Sequence, residues 1–174
     1  MVSVKIDVSK IALRKWQRGD EDNLVFHANN SEVAKFLKDS FPAPYTFSDA
    51  LQWVKFANRS IDSYHLAITL SGEVIGAIGV EKQRDVYCKS AELGYWLGED
   101  YWNQGVMTSV VKEVVEIAFQ NFKIVRLFAN VFSENKASAV VLEKAGFVLE
   151  SVQKSAIYKN KKFMDQLTYT IIRH

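Results

Sequence analysis

The stretch GYWLGEDYWNQGVMTSVV, residues Gly94 to Val111, decides the fold, because two different periodicities meet in it. On its amino-terminal side, Ser90–Leu97 alternates, with Leu93, Tyr95 and Leu97 on one face and Glu92, Gly94 and Trp96 on the other, which predicts a strand. On its carboxy-terminal side, Val110, Val111, Val114, Val115, Ala118 and Phe119 form an apolar stripe opposite Lys112, Glu113 and Glu116, which predicts a helix. NQGVMT is the junction between them. The first turn of a helix leaves N–H groups unpaired, and the helix dipole makes that end positive. A glycine in the approach lets a ligand touch the backbone. Gln104, Gly105, Val106, Met107 and Thr108 therefore form a natural anion seat, with the Thr108 hydroxyl as an extra donor. The junction is neither a Walker A motif nor a dinucleotide fingerprint. Read alone, the loose glycine pattern favours a plain solvated helix cap.

Outward from this junction, the second half continues with a strand at Arg126–Phe132, a helix at Asn135–Ala145 closed by Gly146, and strands at Val148–Ser155 and Phe163–Ile172. Strand, helix and strand in succession imply a locally parallel pair inside a mixed sheet. The first half opens with a strand at Ile11–Trp16 and a polar turn, RGDED. A helix follows over about Asp20–Ala28, then a short one, Glu32–Leu37, capped by Ser31. Ser48 caps a helix running to about Asn58, with Leu51, Val54 and Ala57 on one face. Tyr64–Leu70 and Glu73–Glu81 flank Ser71–Gly72 and read as a hairpin.

The chain has 174 residues, 48% of them hydrophobic and 24% charged, which suits one soluble domain. A net charge of +2 is too mild for nucleic acid, which asks for a concentrated basic patch. The densest basic run, Lys159–Lys162, reads as a solvated turn. Cys88 is the one cysteine, so neither an internal disulfide nor a cysteine-rich zinc site can form. His27, His65 and His174 match no metal spacing, so no metal is expected. The amino terminus, MVSVKIDVSKIALRKW, carries no apolar leader core, and no apolar run reaches the roughly 18 residues of a membrane span. A cytoplasmic protein is the expectation, with no membrane and no nucleic-acid partner.

Two further constellations bear on chemistry. In SENKASAVVLEKAGF, Asn135, Ser138 and Leu142 share one helix face and bring two small polar groups to its amino-terminal end. The competing reading is that Asn135 or Ser133 only caps that helix. Glu92 lies on the same strand face as Trp96. A carboxylate beside aromatics can hold a proton more tightly and serve as a base; alternatively it is an ordinary strand carboxylate.

Taken in order and spacing, these segments resemble the GNAT superfamily of acetyl-CoA-dependent N-acetyltransferases, in its ribosomal-protein-alanine acetyltransferase (RimJ/RimL-like) branch. The likeness covers nearly the whole chain. IALRKWQRGDED resembles the opening strand and turn; EVAKFL with FPAPYTFSDALQWV, the substrate-side helices. AELGYWLGEDYWNQGVMTSVV resembles the fourth strand and pyrophosphate loop, NVFSENKASAVVLEKAGFVLE the fifth strand and following helix, and YKNKKFMDQLTYTI the closing hairpin.

The resemblance implies a single α/β (α+β) domain over residues 1–174. Its mixed, mostly antiparallel sheet has about seven strands, flanked by helices, with the fourth and fifth splayed. It implies that Gln104–Thr108 binds the pyrophosphate of coenzyme A, and that the pantetheine arm pairs with backbone near Trp96 and Leu97. There an N–H polarises the thioester carbonyl. Asn135 would hold pantetheine, Ser138 would lie near the sulfur as a candidate proton donor, and Glu92 would be the base for an acceptor amine. Tyr45 and Tyr158 would wall the acceptor pocket. The implied reaction is direct acetyl transfer to a primary amine, either a protein α-amine or a small molecule. The alternative is a catalytically silent acetyl-CoA-binding sensor or scaffold. A homodimer is compatible with the fold. Five positions depart from the family pattern: Trp102 and Met107 stand at the first and last loop positions, usually Gln/Arg and Gly/Ala; Leu142 stands where many members have a proton-donating tyrosine; Lys154 and Lys161 stand where this branch often has Arg and Gly.

Overall fold

A computed structural model describes residues 6–59 and 63–174. The first five residues of the stretch read for a leader lie outside the described residues. Seven strands hydrogen-bond in the order β1-β2-β3-β4-β5-β7-β6. They are β1 (Ile11–Arg14), β2 (Ser63–Leu70), β3 (Glu73–Lys82), β4 (Ser90–Leu97), β5 (Arg126–Phe132), β6 (Val148–Lys159) and β7 (Lys162–Ile172). The helices are α1 (Glu21–Ala28), α2 (Ser31–Ala34), α3 (Phe47–Ala57), α4 (Val106–Phe122) and α5 (Lys136–Lys144). The chain divides into two compact units, residues 1–79 with 95–110 and residues 80–94 with 111–174.

In the first unit, β1 pairs antiparallel with β2, from Ile11 opposite Leu70 to Arg14 opposite Ala67. Ser71 and Gly72 both take left-handed φ, the geometry that matches a two-residue hairpin to the strand twist. The RGDED turn closes on itself: Asp20 accepts both guanidinium nitrogens of Arg14, at 2.8 and 2.7 Å, and the Gln17 N–H at 2.8 Å. The first helix accordingly starts at Glu21, since the Asp20 carboxylate is turned to these partners and makes no cap bond. Its core gathers Trp16, Leu24, Tyr45, Val54 and Val74 with five alanines, and Phe41, Trp53 and Trp96 pack against it.

Two caps differ from expectation. Asn30, not Ser31, caps α2, accepting the Glu32 N–H at 2.8 Å. Thr46, not Ser48, caps α3, in a reciprocal capping box with Asp49. The helix buries Ala50, Val54 and Ala57, while Leu51, expected on that face, is 37% exposed. The α2 segment also stops at Ala34, short of Leu37.

In the second unit, β5 pairs antiparallel with β7 along its whole length, from Arg126 opposite Ile172 to Phe132 opposite Gln166. The apolar stripe of α4 is buried at Val111, Val114, Val115 and Ala118, whereas Phe119, expected in it, is half-buried and Phe122 is buried instead. Helix α5 ends in a Schellman motif: Gly146 N–H reaches Glu143 C=O at 3.1 Å and Phe147 N–H reaches Leu142 C=O at 3.0 Å, with Phe147 and Leu142 both buried. β6 runs on to Lys159, past the expected end at Ser155, and its register shifts twice, between Leu149 and Ser151 and between Gln153 and Ile157. Gln153 opposes Gln166 and then Ile157 opposes Met164. Asp165 supports the second shift by accepting Ser155 N–H and Lys154 Nζ, both at 2.9 Å.

Candidate active site

The β4–α4 junction lies in the first unit. The chain leaves Leu97 through a single turn of 3-10 helix, Glu99–Tyr101, and Asn103 and Gly105 then both take left-handed φ, +58° and +79°. Asparagine and glycine are the residues that tolerate this conformation, which is why NQG rather than three ordinary residues bridges strand and helix. The first intrahelical bond of α4 runs from Ser109 N–H to Gly105 C=O, at 3.1 Å. The N–H groups of Val106, Met107 and Thr108 precede it and have no partner within the helix. The side chains of Val106 and Met107 are buried, so the bulk of Met107 is packed into the core and its N–H stays at the helix end. Thr108 is half-buried. The Gln104 side chain braces the junction: its carbonyl oxygen accepts Ile6 N–H at 3.2 Å and its amide donates to Asp100 C=O at 3.0 Å. This left-handed turn and open helix end have the shape and polarity to hold a pyrophosphate through backbone N–H groups.

Trp96 is half-buried, and its ring meets Phe41 edge-on at 5.9 Å; Phe41 in turn lies 5.0 Å from the Tyr45 ring. Tyr45 is itself buried, and burial, with Asp49 adding to it, pushes its hydroxyl far above the ordinary range. It lines a cavity of about 220 Å³ together with Ala28, Asn29, Asn30, Ser31, Ala34, Ala43 and Pro44. The Trp16 indole N–H, deeply buried in the same unit, has no hydrogen-bond partner among the described residues.

The other candidates lie in the second unit. The β4–β5 ladder is parallel and runs from Ser90 opposite Arg126 to Glu92 opposite Phe128, while both strands continue beyond it. Glu92 sits at the end of that ladder and accepts the Asn130 amide at 3.3 Å. Asn130 in turn accepts the Thr168 hydroxyl at 2.9 Å, across the register that pairs these two residues. Asn130 and Thr168 escaped the sequence reading. A signal for Asn130 was present, since it is an uncharged polar residue between Phe128 and Phe132 on the face that alternates with buried Leu127, Ala129 and Val131.

Asn135 caps α5, accepting Ser138 N–H at 3.1 Å. Ser138 is half-buried on the first turn. Leu142, where many family members have tyrosine, is fully buried. Tyr158 is 60% exposed and stacks on Phe163, which it faces across the closing hairpin. Among the described residues, no cluster of three or more His, Cys, Asp and Glu could hold a metal ion. No helix there is long and apolar enough to cross a membrane.

Comparison with known proteins is consistent with this geometry. A profile of the acetyltransferase (GNAT) domain matches residues 10–148. The N-acetyltransferase YoaA of Bacillus subtilis is 33% identical over 58% of this chain and 56% of its own length. The ribosomal-protein-serine acetyltransferase of Escherichia coli is 29% identical over 58% of this chain and 55% of its own. The aligned stretch thus spans little more than half of each of these two relatives. The structure of RimL, a ribosomal L7/L12 α-N-protein acetyltransferase bound to coenzyme A, superposes with a TM-score of 0.82 at 20% identity, over 94% of each chain. The chain belongs to the GNAT acetyltransferase family, and a ribosomal-protein acetyltransferase is among its relatives.

Proposed function

We propose that the chain, acting as one N-acetyltransferase domain over residues 1–174, transfers an acetyl group from acetyl-CoA to a primary amine in a ternary complex. The observation that carries this reading is the β4–α4 junction, where two left-handed residues deliver the chain to an open helix end. In this reading, backbone N–H groups of Gln104 to Thr108 bind the pyrophosphate, and backbone at Trp96 and Leu97 orients the acetyl carbonyl. Asn135 and Ser138 attend the pantetheine arm. The acceptor binds beside Tyr45 and Tyr158.

The protein has little covalent work to do. A neutral amine attacks the acetyl carbon directly, so positioning dominates. An ammonium must first lose a proton, which Glu92 takes directly or through water. Asn130 orients that carboxylate. The departing thiolate is stable enough to leave with or without a proton from the Ser138 hydroxyl. Relatives named for ribosomal proteins support a peptide α-amine acceptor, while a small amine is the other member of the same class. The setting is the cytoplasm, and the fold accommodates a homodimer.

The second reading is an acetyl-CoA-binding sensor without catalysis. It is favoured by Leu142, whose buried methyl groups occupy the position of the usual proton donor. A screen for thiol release from acetyl-CoA across peptide amino termini, polyamines and small amines separates the two. Release with at least one amine establishes the transferase; silence across the panel together with tight acetyl-CoA binding supports the sensor.

A further inference from the structure

The residue at the first position of the loop, Trp102, makes its polar contact through a rigid indole that carries a single donor and no acceptor. Its indole Nε1–H donates to the Leu97 carbonyl at 2.8 Å, in a partly buried setting. The geometry of β4 shows what this contact takes away. Gly98 N–H donates to Ile75 C=O at 2.8 Å and Gln83 N–H to Ser90 C=O at 2.9 Å, which makes β3 and β4 antiparallel in a single register. Gly76 and Leu97 therefore face each other as a non-hydrogen-bonded pair. The spacing agrees: a Cβ built on Gly76 would lie 3.1 Å from Leu97 Cα and 2.5 Å from the Trp96 carbonyl oxygen, a closeness that glycine alone permits. In such a pair both residues turn their N–H and C=O away from each other. The Leu97 N–H and C=O thus point to the edge of β4 that does not face β3. On that edge the carbonyl is already occupied by the indole.

We propose that Trp102 is a positioning residue that sets the register of the acyl arm, an inference that rests on the acetyl-CoA reading above. An arm with alternating amide N–H and C=O groups can pair with a strand end in more than one register. Offered a free acceptor at Leu97, a pantetheine amide N–H would compete to dock there. With that acceptor capped, this strand end presents its Leu97 N–H, which seeks a carbonyl oxygen. The thioester carbonyl is thereby selected over a neighbouring amide. The same indole ties the strand end to the turn that carries Asn103 and Gly105, so the donor and the anion seat are held by one short segment.

The test separates register from stability. Trp102→Phe keeps a ring and removes the N–H. Freed to slip, the arm also binds non-productively, so kcat and KM for acetyl-CoA fall together by about fivefold while kcat/KM is nearly unchanged. A purely structural role lowers the melting temperature and leaves both constants in place, or raises KM alone; either result overturns the proposal. A second measurement requires no variant. In the indole region of a nitrogen-15 spectrum of the wild-type protein, the Trp102 N–H is assigned by its nuclear Overhauser contacts to Leu97. It is expected to keep its shift and its protection from exchange when coenzyme A is added. Loss of that protection on coenzyme A binding shows that the carbonyl is surrendered to the ligand, and overturns the register proposal alone. Absence of any coenzyme A binding by the wild type overturns both this proposal and the functional reading beneath it.

Discussion

Asn130 is the residue that gives Glu92 a direction. A carboxylate at the end of a ladder can swing through several rotamers, but its bond to the Asn130 amide, backed by the Thr168 hydroxyl, favours one. If Glu92 is the base, Glu92→Gln lowers turnover by about two orders of magnitude or more and leaves acetyl-CoA affinity intact. Steady-state kinetics with a calorimetric check of binding measures this. An unchanged pH–rate profile in the variant removes Glu92 from the mechanism. Glu92 itself was legible from its place beside Trp96 in an alternating run. Its partners were not, because they come from strands 38 residues apart in sequence, whose pairing no local pattern announces. Trp102 shows the opposite limit: a motif-breaking residue was visible at once, but its hydrogen bond depends on the path of a left-handed turn.

At the scale of elements, the periodic segments were legible and their ends less so. Strands β4 and β5 and the stripe of α4 follow from period two and period 3.6, which a buried face enforces along its length. The caps of α2 and α3 were each displaced, since Asn30 and Ser31, or Thr46 and Ser48, are all competent cap residues and only the packed backbone chooses between them. The second register shift in β6 depends on Asp165 of the facing strand, so the long closing hairpin was read short.

The cap of α5 gives a prediction at this scale. Asn135→Ala removes the acceptor for Ser138 N–H and costs about 1 kcal/mol of stability, measured by chemical denaturation. Asn135→Ser keeps a competent cap. If Asn135 also holds pantetheine, the serine variant retains stability and raises KM for acetyl-CoA; if the residue is a cap alone, the serine variant matches the wild type in both.

For the molecule as a whole, His27 supplies a pH dependence. It is buried on α1 against Tyr101, at a centroid distance of 5.4 Å, and its ring fills the space that a Cβ on Gly98 would need. Burial holds its pKa below the ordinary 6.5, against the opposing pull of Asp100 and Glu73. The folded state thus binds this proton less readily than the unfolded chain. Its stabilising contribution is present above about pH 6.5 and is lost as the pH falls toward the folded-state value. The melting temperature is expected to decline between about pH 7 and pH 5, and His27→Gln to flatten that decline. An equal slope in the variant assigns the dependence to other groups.

The order of strands and helices was legible across the whole chain, and the family resemblance rested on that order together with three short motifs. The account turns on whether the β4–α4 junction seats acetyl-CoA. Isothermal titration of the purified chain with acetyl-CoA tests this directly. Saturable one-site binding at micromolar concentration is the expected result; no heat of binding at high micromolar acetyl-CoA contradicts the account.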